Sequence, residues 1–528
     1  MRLNATPVAT GLGLCFVATI VAASTGIPVP VDRLAAHADL VVEGTVETVF
    51  SGVDPERGTV ATYTTVAIDR TLRGPAGLRE IVIRQPGGRW GERVLVVDHV
   101  ASFEPDEEVY IFLEAALDGA LRPVGAFYGK FSVAAGGERG AAGASRCLEP
   151  SAPALARGET PRAERVSIAD LDALALTVPL ERAPRAWLPR PAEWTRLERQ
   201  EEPGRFAADS GTPARWEQAD VDMPVDVRVA TTAGNPLHDA GAARRAVARA
   251  LDTWTMVPEA RVVLAIEDAA PAGGPSPAAA FTGVNTVVFG DPWDDIPDPV
   301  DCAGLLAIGG YWRAAQPGRT VNGVRFFPML QLYVIVNDGF ECFFSDEDNL
   351  AEVLAHEVGH GLGFGHSSAP DALMRAAAYG GRGPRLGLDD LDAVHCHYPH
   401  QFQLVSPRGG EHWGAGTMRA VRWESSLELA ADAGTVALEI SADAGLNWQP
   451  ISTAERNDGY YRWRVPDDVA GPLSLRVVRH SLGGWLPANY PEACSQAGTK
   501  VPISIAGSPA TGESDGARPL TAKRLSSR

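Results

Sequence analysis

Residues 356–366 read His-Glu-Val-Gly-His-Gly-Leu-Gly-Phe-Gly-His. The approach to them is helical: Asn349 to Glu357 contains no glycine or proline, and Ser345 or Asp346 offers an N-cap. Leu350, Val353 and Leu354 give that helix one apolar face. His356 and His360 are four residues apart, so a helix stacks their imidazoles on one side, toward a common metal. Glu357 sits one step round, within reach of water at that metal but outside the ligand set. Gly363 can take positive φ, stop the helix and turn the chain back, so that His366 supplies a third nitrogen from outside. Three neutral imidazoles leave one position of a tetrahedral zinc open, as in catalytic rather than structural sites. Zinc lowers the pKa of bound water from ~15.7 to roughly 7, and Glu357 is placed to take the proton. The short pattern HExxH fixes three residue types. The longer form fixes His356, Glu357, His360, Gly363 and His366, and is far rarer by chance.

With His366 included, the segment resembles the metzincin metallopeptidases, and within them the matrixins. His366-Ser367 is followed by Ala372-Leu373-Met374, like the HS…ALM stretch of matrixins, and Met374 matches the Met-turn methionine that lies beneath the metal in that family. Leu388 to Val394 resembles the last catalytic-domain helix, and Gln331 to Asp338 looks like the strand before the zinc helix. The likeness is dense over 325–399 and looser over 215–325. It implies a twisted mixed sheet carrying a zinc-binding helix, one catalytic zinc, and protein or peptide substrates.

Three departures from the family stand out. Matrixins follow the Met-turn with a tyrosine and a proline that wall the S1′ pocket. Arg375-Ala-Ala-Ala-Tyr379 stands here, leaving Tyr379 as the candidate wall residue. The histidine-rich structural zinc loop of vertebrate-type matrixins is absent, since no histidine lies between His238 and His356. The prodomain cysteine switch has only an echo in Arg146-Cys147, for which a disulfide or an inert thiol is the plainer reading.

The chain has 528 residues, room for three domains, with 45% hydrophobic and 21% charged residues, which is globular usage. A formal net charge of −19 argues against nucleic acid or an anionic membrane as the main partner. Arg2, the apolar run from Gly11 to Ala23 and small residues at Ala22-Ala23-Ser24 read as a signal peptide, which predicts a secreted, extracellular or periplasmic protein. No later segment is apolar and long enough to cross a bilayer. Export permits disulfides, and Cys302 with Cys342 is the favoured pair.

The expected organisation is a signal peptide over 1–24 and an all-β barrel or sandwich over 30–134. A linker or pro-segment spans 135–215, with one helix from Ser167 to Thr177. The α+β metzincin-type catalytic domain covers 216–400, an immunoglobulin- or fibronectin-like β-sandwich 401–505, and a disordered tail 506–528. Within the catalytic part, Leu305 to Trp312 is expected to be an edge strand open to an extended substrate backbone. Asp291, Asp294, Asp295, Asp298 and Asp301 cluster between prolines, and read either as a calcium loop or as a solvated acidic loop. His395, His397 and His400 read as surface imidazoles at a domain junction, with a second metal as the sharper alternative. In the C-terminal sandwich Trp423, Trp448 and Trp463 read as core residues rather than a sugar-stacking platform. The sequence therefore predicts a secreted zinc endopeptidase whose β-domains could contact a surface or matrix. The alternative is a catalytically silent extracellular binding protein on the same scaffold.

Overall fold

The computed structural model describes residues 26–97, 100–133, 143–148, 162–200, 213–221, 223–230, 234–257, 260–267, 274–321, 324–367, 369–398, 402–425, 435–443, 447–456, 458–468, 470–479 and 500–506. The expected signal peptide and the tail beyond Ala506 lie outside them. The chain divides into two compact units, with the boundary after Pro399.

The first unit opens with β1 (Gly26–Ile27) and α1 (Val31–His37), followed by β2 (Leu40–Asp54), β3 (Thr59–Arg73), β4 (Glu80–Gln85), β5 (Gly88–Trp90), β6 (Arg93–Val97), β7 (Glu108–Ala115), β8 (Leu121–Pro123) and β9 (Lys130–Val133). Next come β10 (Gly143–Leu148), β11 (Arg162–Ser167), α2 (Ile168–Thr177) and β12 (Glu198–Gln200). Nine of these strands form one sheet in the order β11-β10-β9-β7-β8-β4-β3-β2-β12, and β2 also pairs with β7. Strands β2, β3, β4, β8 and β7 therefore close on themselves as a small barrel. Side-chain alternation along β2 and β7 explains both of its faces. Val42, Ile111 and Leu113 point into the barrel with Val46, Val66 and Ile83. Val41, Tyr110 and Phe112 point out and are covered by Leu34 of α1 and by Ile168 and Leu171 of α2.

Two expectations change here. Residues 135–215 were expected to be a linker or pro-segment, yet β10, β11 and β12 belong to the N-terminal sheet and α2 packs on its face. The hairpin β5–β6 lies in the span expected to be an independent β-domain, but it pairs elsewhere.

The rest of the unit comprises β13 (Ala214–Arg215), β14 (Val225–Val229), α3 (Ala240–Thr255), β15 (Leu264–Glu267), β16 (Thr286–Phe289), β17 (Gly304–Leu305), β18 (Ala307–Ala314), β19 (Thr320–Val321), β20 (Val324–Arg325), β21 (Phe327–Val336), α4 (Glu341–Phe344), α5 (Glu347–Gly361) and α6 (Leu388–His397). The second sheet runs β15-β14-β16-β21-β18-β6-β5, with β13 beside β21 and β19–β20 as a separate hairpin. Strands β14, β15, β16 and β21 are mutually parallel, and β18 runs antiparallel to β21. One face carries α3 and α5 over a core that includes Val227, Leu251, Trp254, Leu332, Val334, Val353 and Leu354. The other face buries Ile308, Trp312, Tyr333 and Ile335 against Val53 and Val60 of the barrel strands. The strand expected at the edge of this sheet is internal, because β6 pairs with β18 on its outer side from Gly310↔Val97 to Ala314↔Arg93.

The acidic loop between β16 and β17 is held by arginines of the N-terminal part. Arg122 donates to Asp294 Oδ1 at 2.9 Å and to the Asp294 carbonyl at 2.6 Å, and also pairs with Glu114 at 3.1 Å. Arg185 pairs with Asp298, and Arg33 with Asp301 at 2.6 Å. Asp291 accepts the amides of Asp295 (3.1 Å) and Ile296 (2.7 Å), and Ser276 donates to Asp295. Burial, with Asp295 adding to it, pushes the Asp291 carboxyl up to about 7. These partners occupy the carboxylates, and the calcium reading finds no support: among the described residues the one cluster able to hold a metal lies elsewhere. Cys302 and Cys342 form a disulfide that ties the end of this loop to α4.

The second unit packs a three-stranded sheet, β22 (Phe402–Ser406), β24 (Met418–Ser425) and β27 (Tyr460–Arg464), and a five-stranded one. The latter holds β23 (Glu411–Gly414), β25 (Thr435–Ser441), β26 (Gln449–Arg456), β28 (Gly471–Arg479) and β29 (Lys500–Ala506). Trp413, Trp423 and Trp463 share one core with Leu438, Leu475 and Val477. Trp448 is not in that core. It is half-buried, with the Arg476 guanidinium 3.9 Å from its ring centre.

Arg122 compensates two buried carboxylates at once. Arg122→Ala is expected to lower the unfolding free energy of the first unit by about 3 kcal/mol or more, because it strands buried charge. Urea unfolding followed by tryptophan fluorescence measures this, and a loss typical of an exposed ion pair would contradict it.

Candidate metal centre

Helix α5 starts at Asp346, whose side chain accepts the Asp348 amide at 2.8 Å. Its whole second half is buried, including His356, Glu357 and His360. Two tryptophans fix it: Trp254 Nε1 donates to the Ala355 carbonyl at 2.7 Å, and Trp216 Nε1 to the Gly361 carbonyl at 2.9 Å. The helix ends as the glycine spacing predicts. Gly363 takes φ +94°, and a Cβ there would sit 2.3 Å from the Ala214 carbonyl oxygen, so no other residue fits. The Phe364 amide reaches back to the Gly359 carbonyl at 3.0 Å, and the chain turns to present His366.

The three imidazoles meet at their Nε2 atoms: His356 to His360 at 3.0 Å, His360 to His366 at 3.1 Å and His356 to His366 at 3.2 Å. The second nitrogens of the helical pair are committed. His356 Nδ1 lies 2.8 Å from the Leu373 carbonyl, and His360 Nδ1 lies 2.8 Å from the Phe364 carbonyl. A carbonyl only accepts, so each Nδ1 carries the proton and each Nε2 offers a lone pair. Lone pairs converging at this distance repel unless a cation lies between them. The residues therefore fit a metal ion, and nitrogen donors in this number suit zinc.

Glu357 is fully buried beside this cluster. Strand β18 packs against it at Gly309, where a Cβ would come within 2.4 Å of the Glu357 carbonyl oxygen and 2.8 Å of its Cα. Met374 lies under the helix, and a Cβ on Gly359 would overlap its sulfur. The sequence did not reveal what holds Met374 there. Asp390 of α6 accepts the amides of Leu373 (2.6 Å), Met374 (3.0 Å) and Gly387 (2.7 Å). Burial pushes this carboxyl up to about 7 against the pull of those amides. Its one local signal was an aspartate in the first turn of a helix that follows Gly387.

Tyr379 sits on a loop tethered to α5. Its amide donates to Glu352 Oε1 at 2.5 Å, its hydroxyl donates to the Pro370 carbonyl, and its ring lies between Arg375 and Arg382, at 4.7 and 4.5 Å. Glu352 was also missed, because an acid one helical turn before His356 reads as a solvated position. His397 is not a surface imidazole. It is buried against Phe326 and Phe364, and burial pushes it down to about 3, so it stays neutral. His395 is half-buried, and His400 lies outside the described residues. Cys147 lies on β10, its backbone in register with Ala163 of β11.

Residues 279–399 match the model of the matrixin family. Over 147 residues the chain is 32% identical to matrix metalloproteinase-19 from Homo sapiens, a stretch covering 28% of this chain and 27% of that protein. The chain thus spans little more than a quarter of the length of that curated relative. With the family match, this places a matrixin-like metzincin segment in the chain.

Asp390→Ala removes the acceptor for three amides around Met374. It is expected to weaken zinc binding by about tenfold or more, as when a group supporting a ligand is lost. Competition with a chromogenic chelator reads this directly, and unchanged affinity would rule out the positioning role.

Proposed function

We propose that this protein is an exported zinc-dependent endopeptidase. The convergence of three buried imidazole Nε2 atoms beside a buried glutamate is the observation that carries the reading. His356, His360 and His366 would hold the ion, and Met374 would floor it. When bound, zinc supplies a Lewis acid that acidifies water and polarises a carbonyl. Glu357 acts on protons: it takes one from the attacking water and delivers it to the leaving amine as the C–N bond breaks. A new carboxylate and a free amine result, with no other reactant needed. Tyr379, held by Glu352, would wall the pocket after the cleaved bond.

The Cys302–Cys342 disulfide and the apolar N-terminal run support export to an oxidising compartment. No helix among the described residues is long and apolar enough to cross a membrane. The silent-scaffold alternative gains no support, because all three histidines and Glu357 are present and assembled.

Glu357→Gln is expected to retain one zinc per chain while peptide cleavage falls by about 10²–10⁴-fold. His360→Ala is expected to lose both zinc and cleavage. Elemental analysis alongside hydrolysis of casein or a quenched-fluorescence peptide tests the pair. Full turnover by zinc-loaded Glu357→Gln would sink the assignment of the base.

A further inference from the structure

Resting on that reading, we infer that the hairpin β5–β6 occupies the lane an extended substrate needs, so that the assembled chain is latent until β6 leaves β18. A peptide reaching Glu357 by strand addition would lie against the outer side of β18, one strand spacing away, roughly 4.8 Å. Gly309 marks the level of Glu357 on that strand, since no side chain fits between them. Beginning at the very next residue, Gly310, the outer side of β18 is paired with Val97, Val96, Leu95, Val94 and Arg93. On the other flank, Gly304 and Leu305 are paired with Ile27 and Gly26 of β1. Substrate backbone that extends beyond the Leu306–Gly309 stretch in either direction meets backbone already hydrogen-bonded to the chain itself.

The occupancy is firm. Val94 and Val96 are buried in the core under the zinc helix, and Leu95 and Val97 in the core on the opposite face. Gly310 admits the contact because it has no side chain, and a Cβ there would lie 2.4 Å from the Val96 carbonyl oxygen. Thermal fraying of a strand buried on both faces is rare, so opening the lane requires a competing strand or a force on the hairpin. The turn at Gly91 and Glu92 is exposed and offers a place to grip it.

The test uses the full chain loaded with zinc and an eight-residue quenched-fluorescence peptide. Arg93→Cys with Ala314→Cys places a cysteine pair at directly opposed positions, with the reach of a disulfide, to lock β6 in place. Val96→Pro removes one ladder donor and loosens it. The oxidised lock is expected to cleave about tenfold slower than its Arg93→Ser/Ala314→Ser counterpart, and Val96→Pro about tenfold faster than wild type, at equal zinc content. Binding of the same peptide, measured by anisotropy in a Glu357→Ala background, is expected to follow the same order. A lock that neither slows cleavage nor weakens binding overturns the proposal, whatever the fold of the proline variant. If binding follows the lock but no form cleaves, the occupancy stands and the peptidase reading fails.

Discussion

Three imidazole Nε2 atoms within 3.2 Å of one another, two of them acceptors, form an arrangement that a protein does not assemble without cost, and the surrounding structure is organised to impose it. Two of the rings are set by carbonyls that accept hydrogen bonds from Nδ1–H. Those carbonyls belong to Leu373 and Phe364, so the turn after the helix and the segment ending in Met374 both have to be in place first. Asp390 secures the second of these, and Gly363 permits the first. The glycines at 309 and 359 let β18 and Met374 come against the helix backbone closely enough to leave it no freedom. Around the proposed zinc, the selection is therefore as much for missing side chains as for present ones.

The second organising element is the set of arginines from the N-terminal part. The loop between β16 and β17 gathers carboxylates that would repel one another if left alone. Arg33, Arg122 and Arg185 each take one of them. A guanidinium is a permanent cation with fixed geometry, and it does for this loop what a bound cation could do. The consequence is that loop and barrel are not separable modules: the charge balance of one is completed by residues of the other.

Much of the centre was legible because it is local. A four-residue spacing on a helix, a glycine at the turn and a histidine three residues later fix geometry through backbone rules alone, and His356, His360 and His366 converge as that spacing implies. What the sequence concealed was non-local. Nothing in the run Arg-Val-Leu-Val-Val at 93–97 says that its partner lies far along the chain at 310–314. The roles of Asp390 and Glu352 are not legible in the sequence, because their amide partners are contributed by loops without a pattern. The acidic loop was ambiguous for the same reason, since its arginines sit elsewhere in the chain. His397 was misjudged because three histidines near a helix end suggest solvent, whereas Phe326 and Phe364 close over this one.

Strand β6 also sets an order of events during synthesis. It emerges early with its aliphatic residues prepared for two different cores, and both cores need β18. Roughly two hundred residues separate the two strands, which at ordinary elongation rates is about 10–40 s on the ribosome. Throughout that interval the barrel strands can close without it, while the hairpin remains an unpaired apolar ribbon. The nascent chain thus carries its own aggregation hazard until β18 arrives. Shielding of that ribbon, as by a chaperone, becomes part of what makes the mature arrangement reachable.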